Sequence, residues 1–195
     1  MKFLTIDTST NLLLIVLHDE KNIIEINSRV GKSDHQAYIV PMIEETLKKN
    51  QVELEALSGV IVGIGPGSYT GLRVGLMTAK MLCYAKKIPL YTVSSLMLLT
   101  SGYDEKILAW HDARNNDGFS GFYEKGILID EEKVRNLDNL TEEEKLMMVY
   151  VNPDSFKLNI ERVFKNKIHV ENYMGLVPNY LRKTEAEVKL DHKSE

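Results

Sequence analysis

Gly65-Pro66-Gly67-Ser68-Tyr69-Thr70-Gly71-Leu72-Arg73-Val74-Gly75 is the most informative stretch of this 195-residue chain. Ahead of it, residues 60–64 form a short apolar run with the length of a buried strand. The Gly-Pro-Gly triplet ends that run. Behind it, the pattern predicts a helix over residues 70–86, closed by Lys86, Lys87 and Pro89. Residues 89–93 read as another strand. Strand, helix, strand in this order is a crossover joining parallel strands, so the fold is α/β. Glycine recurs at 67, 71 and 75, and the same step of four continues to Ala79 and Cys83. On a helix these small residues form one stripe that another backbone can approach closely. Each interior glycine costs about 1 kcal/mol relative to alanine, so packing must offset it. Two packing partners are open: the domain's own sheet, or a helix of another subunit. At the helix N-terminus, capping by Ser68 or Thr70 competes with binding of an anion by free N–H groups. Capping is favoured, because no Lys or Mg-binding hydroxyl pattern accompanies the loop.

Upstream, Phe3–Asp7, Leu12–His18 and residues 22–29 read as three strands joined by short polar turns, an antiparallel meander. A helix follows over His35–Lys49, with Met42, Ile43 and Leu47 on one side and Glu44, Glu45, Lys48 and Lys49 on the other. Pro41 should kink it or mark its first turn. After residues 89–93, Ser94 or Ser95 caps a short helix through Thr100. The second half echoes the first. Residues 107–112 form a strand ending in Asp112, as the first strand ends in Asp7. Residues 119–125, 126–130 and 146–151 read as strands, 153–165 as a helix and 168–170 as a last strand. Between them, Thr141 and Glu144 have capping-box spacing. The expected domains are 1–102, a shortened second lobe 103–182, and a charged tail 183–195 that frays.

Composition narrows function. Apolar residues make up 44% and charged residues 27%, ordinary values for a globular protein. Net charge is −4, which disfavours a stand-alone nucleic-acid binder. The longest aliphatic run, residues 12–17, is far short of the roughly 20 residues a membrane span requires. No secretory or transit signal is evident. A single cysteine, Cys83, fits a reducing cytosol. The five histidines are too far apart for a zinc-type spacing. No P-loop, dinucleotide fingerprint or nucleophile elbow is present: Ser68 or Thr70 stands where the last fingerprint glycine belongs, and Pro66 where an elbow requires glycine. Asp7, followed by Thr8, Ser9 and Thr10, has two readings. It faces a nucleotide phosphate or its Mg, or it makes an Asx turn that caps the hairpin. Asp112-Ala113-Arg114 repeats that position.

Taken together, the motifs Asp7-Thr8-Ser9-Thr10, His35-Gln36, Pro41-Met42-Ile43, the glycine stretch, Ile88-Pro89-Leu90, Val93-Ser94-Ser95-Leu96, Asp112-Ala113-Arg114 and the tail from Pro178 to Arg182 resemble the TsaB (YeaZ) family. The resemblance implies an ASKHA (actin/Hsp70-like) fold of two duplicated lobes. It implies a role in making threonylcarbamoyladenosine beside the anticodon of ANN-reading tRNAs. It also implies the partners: a TsaD-like catalytic subunit, a TsaE-like ATPase, and a homodimer when the chain is alone. Aligned on TsaD, that relative's two metal-binding histidines fall on Ser95 and Leu99, so no metal and no transferase activity are expected of this chain by itself. The family pairs through its two first-lobe helices, with Gly71, Gly75 and Ala79 giving close approach and Met42, Leu47, Met77 and Met81 giving apolar fill. ATP or ADP with Mg is expected, if anywhere, at the joint with TsaD, near Asp7, Gly65, Gly67 and Ser68. The alternative is an ASKHA phosphotransferase or ATPase that uses Asp7 and this loop. An older peptidase label for the superfamily has no supporting Ser/His/Asp or zinc pattern. Whether Arg73, Arg114 or Arg182 touches tRNA stays open.

Overall fold

The computed structural model describes residues 1–31 and 33–181. Arg182 and the 183–195 tail lie outside the described residues. The first sheet has six strands in the order β11-β5-β4-β1-β2-β3. Its members are β1 (Phe3–Asp7), β2 (Leu12–His18), β3 (Ile23–Val30), β4 (Gly59–Gly63), β5 (Leu90–Val93) and β11 (Ile168–His169). β1 pairs antiparallel with β2 and parallel with β4, and β4 pairs parallel with β5. The meander and the crossover expected from the sequence are both present. α1 (His35–Lys49) and α2 (Tyr69–Lys86) cover one face, and α3 (Ser95–Thr100) follows β5.

The unbroken aliphatic run in β2 reflects burial on both sides. Leu13, Ile15 and Leu17 join Leu4, Ile6, Val60 and Val62 beneath α1 and α2. Leu12, Leu14 and Val16 point the other way, into a second cluster with Leu96, Leu99, Ile107 and Val163. That second cluster joins the two lobes.

The second sheet contains β6 (Lys106–Asp112), β7 (Asp117–Glu124), β8 (Ile127–Leu128) and β10 (Met148–Tyr150), with β9 (Lys133–Asn136) also paired to β7. The capping box at Thr141 and Glu144 starts α4 (Glu142–Leu146). β9 is a strand that the sequence pattern does not predict. The helix expected over residues 153–165 is shorter: α5 spans Ile160–Asn166. Asn152 accepts the Asp154 and Ser155 backbone N–H groups, which holds that segment in a turn, and Asn159 caps the helix instead. Pro41 lies inside α1, so it does not mark the first turn.

β11 returns to the first sheet, antiparallel to β5. The chain then runs back along that lobe, where Val170, Tyr173 and Leu176 pack on the core under α1 and α2. The Asn179 N–H donates to the Ile64 carbonyl at 2.7 Å. Among the described residues no helix is long and apolar enough to cross a membrane.

Candidate functional site

Four segments converge where the lobes meet: the β1–β2 turn, the entry to α1 with His35 and Gln36, the loop leading into α2, and the β6–β7 turn. They enclose a cleft of about 650 Å³ whose walls include Thr10, Ser68, Tyr69, Thr70, Asp112 and Arg114. Ser68 caps α2, its hydroxyl accepting the Gly71 N–H at 3.2 Å. Arg114, Asn115 and Asn116 all have positive φ and turn the chain tightly from β6 into β7. The Arg114 guanidinium makes no ion pair among the described residues.

Asp7 does not reach this cleft. It is 1% exposed, and its Oδ1 accepts both the Ser9 N–H (2.9 Å) and the Ser9 hydroxyl (2.7 Å). This is the Asx turn of the structural reading. A Cβ on Gly63 would lie 1.9 Å from Asp7 Oδ2, so the carboxylate is shut in against β4. Burial pushes its pKa up, countered in part by Ser9, by the neighbouring Ser95 hydroxyl and by His35. The glycine loop closes the other side: Ser68 N–H donates to the Ser9 carbonyl at 2.7 Å. The expectation that Asp7 and Gly65 face a nucleotide is therefore corrected. Gly65 backs onto Leu72 and the Asn179 carbonyl. Of the four residues, Gly67 and Ser68 reach the cleft wall. Asp7 as placed is shut off from the cleft and does not fit a Mg-nucleotide complex; the carboxylate on the cleft wall is that of Asp112.

The glycine stripe also faces inward. A Cβ at Gly71 would lie 2.1 Å from the Thr8 carbonyl oxygen, and one at Gly75 would lie 2.3 Å from the Thr8 hydroxyl. Ala79 and Cys83 are fully buried on the same side. The close approach is to the domain's own β1–β2 turn, so Gly71, Gly75 and Ala79 are not a partner surface. Met42 and Leu47 are likewise corrected: each is 7% exposed, packed in the core under α1. Met77 and Met81 differ. They are 59% and 58% exposed, and Tyr84, which sequence reasoning missed, is 62% exposed beside them. On α1, Val40 is 54% exposed. Val40 and Leu82 line one groove of about 640 Å³, with Ile43, Leu47 and Leu54 beneath. The signal for Tyr84 was available: it falls three residues after Met81, on the same helical face.

Ser95 and Leu99 are both in the interior. The Ser95 hydroxyl accepts the Gly65 N–H at 3.0 Å, and Leu99 belongs to the apolar cluster joining the lobes. Arg73 is engaged with the C-terminal segment: its Nε donates to the Tyr180 hydroxyl at 3.0 Å, and its guanidinium lies over the Tyr69 ring. Tyr69 and Tyr180 pack ring to ring at 4.8 Å.

The family model for TsaD, tRNA N6-adenosine threonylcarbamoyltransferase, matches residues 26–177. The tRNA threonylcarbamoyladenosine biosynthesis protein TsaB of Bacillus subtilis (strain 168) is 30% identical, with 97% of each chain covered. The protein of the same name from Escherichia coli (strain K12) is 30% identical across 64% of this chain and 56% of its own length. Among solved structures, a Pseudomonas aeruginosa protein described as similar to peptidase YeaZ superposes with a TM-score of 0.77 at 22% identity, covering 93% of this chain and 99% of that one. YeaZ from Pseudomonas aeruginosa gives 0.75 at 21% identity, covering 92% and 99%. These superpositions concern the fold, which is the two-lobed ASKHA arrangement of mixed sheets and flanking helices.

Proposed function

This chain belongs to the TsaB (YeaZ) family, and from that premise we propose that it is the non-catalytic assembly subunit of the complex that makes threonylcarbamoyladenosine on tRNA. Family membership gives the role in threonylcarbamoyladenosine biosynthesis; the division of labour is our reading. The observation that carries it is the outer face of the two first-lobe helices. Val40, Met77, Met81 and Tyr84 are all more than half exposed there. Apolar residues concentrated on one helical face mark a protein–protein surface, and Met and Tyr are enriched in such surfaces. The same chain offers poor catalytic machinery: Asp7 is sealed, and Leu99 is core.

The partner on this face is a TsaD-like transferase, with a TsaE-like ATPase docking on the pair. Without the transferase, two copies pair through the same face as a two-fold homodimer. The test uses Met81→Glu with Tyr84→Glu. Purified with the TsaD-like subunit of the same cell, wild type should elute as a complex of summed mass and the variant as separate proteins with unchanged circular dichroism. Full pairing by the variant would move the interface elsewhere. Conversion of tRNA from threonylcarbamoyl-adenylate by this chain alone would refute the non-catalytic role.

A further inference from the structure

Resting on the helix face proposed above, we infer that Met77 and Met81 make that face oxidation-sensitive, closed to its partner by a peroxide and reopened by a dithiol reductant. The two methionines stand one helical turn apart on α2, 59% and 58% exposed. The sulfur side chains of the core are shielded, and the exposed Met1 and Met174 lie outside α2. Met42 and Met97 are 7% and 5% exposed, and Cys83 is fully buried. Burial also pushes the Cys83 thiol up to about 12, so it presents almost no thiolate to compete for oxidant.

In the oxidation step, the methionine sulfur attacks one peroxide oxygen. The O–O bond breaks, an S–O bond forms, the sulfur loses two electrons, and the other peroxide oxygen leaves as water. A dithiol reverses it: the sulfoxide oxygen leaves as water and the two thiols become a disulfide. The product replaces a soft apolar thioether with a strongly polar acceptor. Buried against an apolar partner, that oxygen needs a donor. The neighbouring cations are drawn toward the C-terminal segment: the Lys80 ammonium donates to the Met174 and Leu176 carbonyls, and Arg73 Nε to the Tyr180 hydroxyl. An unsatisfied acceptor weakens association about tenfold, so two should weaken it about 100-fold.

The experiment measures binding to the TsaD-like subunit by titration calorimetry before and after hydrogen peroxide, with peptide masses confirming one added oxygen each at residues 77 and 81. Wild type should lose about 100-fold in affinity and regain it after methionine sulfoxide reductase with dithiothreitol. Whatever affinity the Met77→Leu/Met81→Leu variant starts from, that affinity should be the same before and after peroxide, although Met1 and Met174, 77% and 74% exposed, still oxidise. Unchanged binding by oxidised wild type, or equal loss in the double variant, overturns the inference while leaving the pairing surface intact. Absence of binding by unoxidised wild type refutes the pairing surface itself, and this inference with it.

Discussion

Replacing Gly75 with alanine tests which way the glycine stripe faces. In an exposed helix interior the change stabilises by about 1 kcal/mol through helix propensity. Here the new Cβ would lie 2.3 Å from the Thr8 hydroxyl oxygen. That hydroxyl is fully buried and donates to the Gly71 carbonyl at 2.7 Å. Moving it aside leaves a buried polar group poorly paired, at about 1–3 kcal/mol. Overpacking adds about 1 kcal/mol or more. Gly75→Ala should therefore destabilise the protein by about 1–3 kcal/mol net. Thr8→Ala removes the obstructing oxygen. The next nearest atom, the Thr8 Cβ, is 3.5 Å from the new methyl, an ordinary contact. In the Thr8→Ala background, Gly75→Ala should therefore stabilise by about 1 kcal/mol. The coupling energy is about 2–4 kcal/mol, well above the few tenths by which distant sites depart from additivity. Urea unfolding followed by circular dichroism on the four proteins of the cycle measures it. Equal effects of Gly75→Ala in both backgrounds, or stabilisation in the wild-type background, would mean that the stripe does not rest on the β1–β2 turn.

Three other outcomes are expected. Burial raises the Asp7 pKa, so its carboxyl stabilises the folded state at acid pH, and that contribution is lost as pH rises through the folded value. Asp7→Asn should thus equal or exceed wild type in urea midpoint at neutral pH, with its advantage shrinking on acidification; a clear loss at neutral pH would contradict the burial argument. Cys83 should resist alkylation at pH 8 in the native protein and react fully in urea, because it is buried and its thiol is pushed up to about 12. Gly118→Ala would place a Cβ 2.0 Å from the Trp110 indole, so it should cost about 1–3 kcal/mol and alter the near-ultraviolet signal of the chain's single tryptophan.

Local pattern carried the fold a long way. β1, β2 and α1 begin and end where alternation, turn residues and helical spacing place them. Most of the failures share one cause: they depend on contacts between segments remote in sequence. A four-residue recurrence of small side chains announces close approach but does not say to what. Part of the answer was nevertheless present, since Leu72 and Leu76 flank Gly75 and Ala79 on one helical face and are core residues. Asp7 offered less. Its turn with Ser9 is local and was one of the two readings, but the loop that closes over it comes from Gly67 and Ser68. Likewise, nothing in the short apolar stretch of β11 indicates that it crosses back to pair with β5. The helix expected over residues 153–165 failed for a local reason: Asn152 and Ser155 satisfy the backbone in a turn before helix can form.

Sealing of Asp7 and exposure of the methionine face follow from one rotation of one helix. Successive residues on an α-helix are separated by about 100°, so position 77 lies about 200° from position 75, and 81 about 200° from 79. Seating Gly71 and Gly75 on Thr8 therefore turns Met77 and Met81 outward without further adjustment. The same seating brings the Ser68 N–H onto the Ser9 carbonyl and closes the loop over the end of β1. A bulkier residue at 71 or 75 would lift the helix, opening the turn that holds Asp7 and disturbing the outer face together. Hydrogen exchange should then report the coupling: in Gly75→Ala, protection should fall in the β1–β2 turn and along α2 while β6 and β7 stay protected. Loss spread evenly over both sheets would instead mean that the glycines support global stability, with no specific hold on this helix.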